Sequence, residues 1–226
     1  MILPDYWLER PGMGLDDQVR SAFDQLLTQI KSAGTNTLIS YTLALPKWQF
    51  LCYLAEQHAI ALHGTGDPDI RVFEPRQAND LNAFGNQKAI YAAGDGLWAM
   101  FFAIVDRDRY PMSLNNACIR LADATGQVSE PRYLFSISQT ALRQDPWRTG
   151  FVYLLPADTF MDQPPLPFGP YQVHIPQLAS LTAVTPLARL EIKPDDFPFL
   201  IHIRGHEDAR FHEYAQAMQT GGPWPD

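Results

Sequence analysis

Two short stretches hold most of the chemistry legible in this chain. In Ala59-Ile60-Ala61-Leu62-His63-Gly64-Thr65-Gly66, a two-residue period over 59–63 places Ala59, Ala61 and His63 on one strand face and Ile60 and Leu62 on the other. An imidazole at the end of a row of alanines stands beside a groove, and it offers a donor and an acceptor to a hydroxyl-rich ligand. Ala89-Ile90-Tyr91-Ala92-Ala93 repeats the arrangement, with Tyr91 flanked on its own face by Ala89 and Ala93. An aromatic ring and an imidazole, each on a floor of alanines, could grip a flat polar molecule. The competing expectation is structural: a core tyrosine with a satisfied hydroxyl, and a strand-end histidine bonded to a turn.

Other constellations carry less. Gly64-Thr65-Gly66 lacks the third glycine of a dinucleotide fingerprint and runs into Asp67-Pro68-Asp69, whose carboxylates would repel a pyrophosphate; it is not a P-loop either. His202, His206 and His212 do not have the His-Glu-x-x-His spacing, so no metal is expected. No Gly-x-Ser-x-Gly elbow is present, and neither cysteine has a histidine at a suggestive position. The turn at Asp195 and Asp196 reads as a solvated connection.

The elements that must position these residues follow from periodicity. Val19, Phe23, Leu26, Leu27 and Ile30 recur at helical spacing after Asp16, and Gly34 stops the pattern, which predicts a helix over about 15–33. Pro46 opens a second, more apolar helix to about Gln57. From Ala59 onward short runs of period two are broken by Gly, Pro, Asn and Asp, and strands are expected at 59–63, 88–93, 117–122, 132–138, 150–155, 171–175 and 187–192. An apolar helix over 95–105 follows the second strand with Asp95 as its cap, and a last helix is expected over 207–219. The proline-stiffened stretch 162–170 reads as an exposed connector, with a rim or lid as the alternative. Strands that do not alternate regularly with helices make this an α+β chain rather than a doubly wound one. Its organisation is expected to be a helical amino-terminal segment, 1–57, packed on a main domain, 58–226.

Composition bounds the function. With 226 residues, 46% hydrophobic, 12% aromatic and 19% charged, the chain can bury a real core, and neither a disordered chain nor a coiled coil fits. Seventeen Lys+Arg against 25 Asp+Glu leave a charge of -8, which gives no overall attraction to a phosphate backbone, so nucleic acid is not an expected partner. Cys52 and Cys118 sit in apolar surroundings and are expected to be buried thiols. The amino terminus lacks a basic segment followed by an apolar run, and no stretch approaches the roughly 20 apolar residues that span a bilayer. The expectation is a soluble cytoplasmic protein without a membrane partner.

His63-Gly64-Thr65, Phe73-Glu74-Pro75-Arg76, Ile90-Tyr91-Ala92-Ala93 and the helix Trp98-Ala99-Met100-Phe101-Phe102-Ala103 together resemble the ADP-ribosyltransferase-like fold. That broad group includes the RNA 2'-phosphotransferases and the poly-ADP-ribose polymerases. The resemblance covers about 59–105, and more loosely Phe151-Val152-Tyr153-Leu154-Leu155-Pro156 and Pro186-Leu187-Ala188-Arg189. It implies a split antiparallel sheet with helices and a site for NAD as substrate. His63 would then bond a ribose hydroxyl, the Gly64 backbone would hold the nicotinamide carboxamide with Thr65 beside it, and Tyr91 would stack on the ring. Arg76 would pair with the pyrophosphate. These roles suit the residue types, since a glycine lets backbone approach closely and a tyrosine face suits a flat, partly cationic ring.

The same resemblance calls for a glutamate near the start of a late strand, holding the ribose 2'-hydroxyl and stabilising charge as nicotinamide leaves. The corresponding stretch, Gln177-Leu178-Ala179-Ser180-Leu181-Thr182-Ala183-Val184-Thr185-Pro186, has no carboxylate. Glu191 is the next one and stands as the candidate catalytic residue, with an ion pair to Arg189 on the same strand face as the alternative. The expected function is mono-ADP-ribosyl transfer with loss of nicotinamide, weak for want of the usual glutamate. The partners would be NAD or an ADP-ribosyl compound and a protein acceptor. The alternative is an inactive member of the fold acting as a protein-interaction module through its amino-terminal helices. RNA 2'-phosphotransfer ranks behind both, because the basic residues are scattered.

Overall fold

A computed structural model describes residues 3–78 and 83–225. The chain runs β1 (Leu8–Glu9), α1 (Asp17–Ser32), β2 (Thr37–Leu38), α2 (Lys47–Gln57), β3 (Ile60–Thr65), β4 (Arg76–Gln77), β5 (Lys88–Ala93) and α3 (Gly96–Ile104). It continues through β6 (Leu114–Ala122), β7 (Arg132–Ser138), α4 (Gln139–Leu142), β8 (Gly150–Pro156), β9 (Phe160–Asp162), β10 (Leu166–Phe168), β11 (Tyr171–His174), β12 (Gln177–Ser180), β13 (Ala188–Ile192), β14 (Arg204–His206) and α5 (Phe211–Thr220). The protein is α+β, with two sheets and several helices.

Among the described residues one sheet has the order β2-β13-β8-β3-β5-β12-β9, with β4 also on β5. The other has the order β1-β7-β6-β11-β10, with β14 also on β7. Every pairing is antiparallel except β2 with β13 and β14 with β7. Helix α3 lies within the main core. Its sequence Gly-Leu-Trp-Ala-Met-Phe-Phe-Ala-Ile has no polar face, as befits a helix enclosed on all sides, and all of it is buried except Phe102. Asp95 caps it, accepting from the Trp98 N–H at 2.9 Å while its other oxygen accepts from the Tyr133 hydroxyl at 2.8 Å. Phe101 packs on Phe135 and Phe197 beneath.

The amino-terminal helices belong to the same core. α1 begins at Asp16, whose side chain accepts from the Val19 N–H, and it buries Phe23, Leu26, Leu27 and Ile30. α2 buries Trp48 and the run from Phe50 to Leu54. These apolar side chains pack in one cluster with α3, β3, β8 and β13, so they are spent inside the fold rather than offered to a partner. The first 57 residues are not wholly helical: β1 joins one sheet through β7 and β2 joins the other through β13.

The stretch 162–170 differs from the expected connector. Leu166–Phe168 forms β10, which turns at Gly169 and Pro170 onto β11. Pro167 is tolerated there because β10 is an edge strand, with one side free of ladder partners. α5 starts at Phe211 after a single 3-10 turn, later than the expected 207. Cys52 and Cys118 are free and buried. No helix among the described residues is long and apolar enough to cross a membrane.

Candidate functional site

The central feature is an interruption between β3 and β5. These strands pair at Leu62–Ala93 alone, whereas β3 pairs with β8 along its whole length. Antiparallel residues point their backbone groups alternately to one neighbour and the other, so the pairing parity can be followed. Ala157 N–H donates to the Ala59 carbonyl, which makes 61/155, 63/153 and 65/151 the hydrogen-bonded pairs of β3 and β8. The N–H and C=O of Gly64 therefore turn the other way, toward β5. Gly94 N–H donates to the Pro176 carbonyl, and by the same parity the backbone groups of Tyr91 and Ala93 turn away from β12, toward β3. β4 takes the same edge of β5 lower down, at Ala89 and Lys88. A gap remains between β4 and the Leu62–Ala93 pair, with the backbone of Gly64 on one bank and of Tyr91 on the other.

His63 bridges this gap. Its Nδ1 lies 2.7 Å from the Tyr91 carbonyl oxygen. A carbonyl can only accept, so Nδ1 carries the proton and Nε2 is left as an acceptor when the ring is neutral. Burial pushes His63 below the usual histidine range, and the nearby Arg76 guanidinium acts in the same direction against the Tyr91 hydrogen bond. The ring is propped edge-on by Phe73, with centroids 4.8 Å apart. Tyr91 is equally fixed. Its hydroxyl accepts from the Gln87 N–H and donates to the Phe84 carbonyl, each at 2.9 Å, which leaves the ring face rather than the phenol to meet a ligand.

Two cavities adjoin the gap. The inner one, about 340 Å³, lies on the α3 side and is lined by Gly64, Tyr91, Trp98, Phe102 and Gln177 among others. The outer one, about 850 Å³, extends past His63, Phe73, Arg76, Ala89 and Met112. His63, Thr65, Tyr91, Arg107 and Arg148 line both, so the two form one continuous cleft of the size that small-molecule ligands occupy. Gly64 is required here sterically. A Cβ at this position would stand 1.9 Å from the Ala99 carbonyl oxygen, because the α3 backbone lies directly against β3.

Charge is unevenly spread. Arg148 donates to Asp108 at 2.6 Å, with Asp106 at 3.6 Å, and reaches the Ala103 carbonyl near the end of α3. Arg76 and Arg107 have no ion-pair partner among the described residues. The inner cavity has Arg107 and Arg148 in its lining and no carboxylate, in a chain of charge -8. Asp67, Glu74 and Asp108 lie only on the outer cavity.

The structure thus gathers His63, Gly64, Thr65 and Tyr91 at one gap and puts Arg76, exposed on β4, at the outer cavity. Glu191 is not among them. It lies on β13 opposite Phe151, which is itself opposite Thr65, so two strand spacings, about 10 Å, separate it from the cleft bank. It lines neither cavity, and the expected ion pair with Arg189 is missing too: Arg189 donates instead to the Asn36 carbonyl at 2.8 Å. The residue that β12 does bring to the cleft is Gln177, opposite Ala93 on the face that carries Tyr91. Sequence reasoning passed over Gln177, Phe102, Arg107 and Arg148 as site residues. Of these only Phe102 left a signal, being a position of an all-apolar helix next to motif residues. No group of three or more His, Cys, Asp or Glu among the described residues is placed to hold a metal ion.

No family model, no curated protein and no solved structure matches this chain.

Proposed function

We propose that the chain is an ADP-ribosyltransferase-like protein whose cleft binds NAD, and that it transfers ADP-ribose slowly or not at all. The observation that carries the reading is the gap between β3 and β5, where His63 takes the Tyr91 carbonyl and the Gly64 backbone groups, directed away from β8 by the pairing parity, have no ladder partner on β5. A carboxamide needs one acceptor and one donor, which the Gly64 C=O and N–H supply side by side. The rings of Tyr91 and Phe102 suit a flat cationic heterocycle in the inner cavity. Nε2 of a neutral His63 accepts from a ribose hydroxyl, and the unpaired Arg76 and Arg107 suit a pyrophosphate at the outer cavity.

Transfer would proceed by attack of an acceptor on the anomeric carbon. The bond from that carbon to the ring nitrogen breaks, its electron pair stays on nicotinamide, and the acceptor's proton goes to solvent. Positive charge grows on the ribose along the way, and an anion aimed at it is the usual aid. Gln177 supplies a dipole and no charge. The absence of any carboxylate from the inner cavity lining favours a second reading, a member of the fold that binds its ligand without turning it over.

Thermal denaturation with and without NAD tests the reading, since a native-state ligand must raise Tm. His63→Ala should weaken binding about tenfold by removing the ribose contact and freeing the Tyr91 carbonyl. No Tm shift at millimolar NAD would refute the proposal. Brisk nicotinamide release that survives His63→Ala would show that the chemistry lies elsewhere.

A further inference from the structure

We infer that Gln163 is a positioning residue for this cleft, unpaired in the free protein and paired with Gln177 once a ligand fills the inner cavity; the inference rests on the reading of the cleft as an NAD site. The Gln163 N–H donates to the Gln177 carbonyl at 3.0 Å and continues the register in which Asp162 faces Leu178. The two glutamines are therefore a directly opposed, hydrogen-bonded pair, with Cα atoms about 5.5 Å apart and side chains on the same sheet face. That face is the one of Ala93 and Tyr91, because Gln177 stands opposite Ala93.

Gln163 is only 5% exposed, and neither its Oε1 nor its Nε2 has a hydrogen-bond partner among the described residues. An enclosed amide without partners is strongly unfavourable, and native folds rarely keep one without a use for it. Gln177 lies one strand nearer the cleft and lines the inner cavity, so its amide is served by solvent while the cavity is open. A ligand that fills the cavity takes that solvent away. With its Oε1 turned to a ligand hydroxyl, Gln177 can donate from Nε2 to the Gln163 Oε1, and one contact then fixes Gln177 and satisfies Gln163. The unpaired amide lowers the stability of the free protein, and the bound state recovers that loss as affinity.

Gln163→Met, close in volume and free of hydrogen-bonding amide atoms, separates this role from a purely structural one. The Tm of the free protein should rise by about 2–4 °C. The Kd for NAD should rise about fivefold. In a double-mutant cycle, once Gln177→Met is in place, Gln163→Met should change Kd by less than about twofold. A fall in Tm would show that the amide is already satisfied, and it would overturn the inference. So would equal effects of Gln163→Met on Kd with and without Gln177, since the two would then act independently. Absence of NAD binding by the wild type would remove both the inference and the reading it rests on, whereas NAD binding with additive variants would remove the inference alone.

Discussion

On the proposed reading of the cleft as an NAD site, replacing Gln177 by glutamate should convert binding into cleavage. Gln177 and Ala93 are a non-hydrogen-bonded pair, the closer kind, with Cα atoms about 4.5 Å apart, and Tyr91 is the next residue along that face. For a ribose bound between Tyr91 and the β3 bank as proposed, the separation of a carboxylate here from the developing charge is taken as about 4 Å. At an effective dielectric of about 20 that attraction is about 4 kcal/mol. Arg107 and Arg148 line the same cavity and would take up part of it, leaving about 3 kcal/mol, or two powers of ten in rate. The assay is nicotinamide release, followed by chromatography, from wild type, Gln177→Glu and Gln177→Met at saturating NAD. Gln177→Glu should exceed wild type about a hundredfold, and Gln177→Met should not. If Gln177→Glu binds NAD as wild type does and releases no more nicotinamide, the missing anion is not what limits this cleft, and the electrostatic reasoning is wrong.

Two further predictions follow from packing and protonation. Gly64→Ala and Gly66→Ala should differ sharply, although the two glycines lie only two residues apart. At Gly64 the new methyl meets the α3 backbone at 1.9 Å and must push a strand off a helix, at a cost of about 3 kcal/mol or more, whereas at Gly66 it meets the Arg148 guanidinium at 2.1 Å, the far end of a flexible side chain that can move aside. Equal Tm values for the two variants would contradict this. Stability should also fall as pH drops below about 6.5, because burial holds both His63 and His206 below the usual histidine range. The unfolded chain then takes up protons before the folded one, so the stabilisation is complete above the unfolded value and is lost as pH falls toward the folded one, by up to about 1.4 kcal/mol per pH unit for each histidine. His206 is buried against Ser136 and Ser113, and His206→Gln should flatten a plot of Tm against pH between 7 and 5; an unchanged slope would assign the effect elsewhere.

Much of the fold is legible because its elements carry strong local patterns. The spacing of Phe23, Leu26, Leu27 and Ile30 and the cap at Asp16 specify α1, and the period-two alternation of Lys88–Ala93 coincides with β5. Where the pattern is short or mixed, reading fails for physical reasons. β12 has four residues, too few for an alternating period to stand out from turn sequence, and β10 contains a proline that ordinarily argues against a strand but is harmless at a free edge. β4 and β14, of two and three residues, exist through their partners rather than through any propensity of their own.

The site divides along the same line. Alternation along one strand tells which side chains share a face, and Ala89, Tyr91 and Ala93 do alternate along β5, whereas β3 begins only at Ile60, and Ala59, at φ 50°, lies outside the strand face expected for His63. Alternation cannot tell which strands lie side by side, or where a ladder stops. The gap exists because two partners divide one edge of β5, β4 at Ala89 and β3 at Ala93, and neither can reach the middle, where Tyr91 sits. By parity Leu62 and Ala93 share one face, which puts Tyr91 on the α3 side of the sheet and His63 on the opposite side. In an unbroken sheet the His63 ring would have no access to the Tyr91 backbone. It is the missing pairing between Gly64 and Tyr91 that lets the His63 ring swing into the sheet plane and take a backbone carbonyl as its partner. That is also why Glu191 misleads as a candidate. It shares a face with His63 and Thr65, yet facing matters only beside the break, and β8 stands between it and the cleft. Gln177 carries no charge to draw attention in the sequence, but it lies on the strand that borders β5 across from the gap, so on the proposed reading a neutral amide stands where the usual glutamate would act.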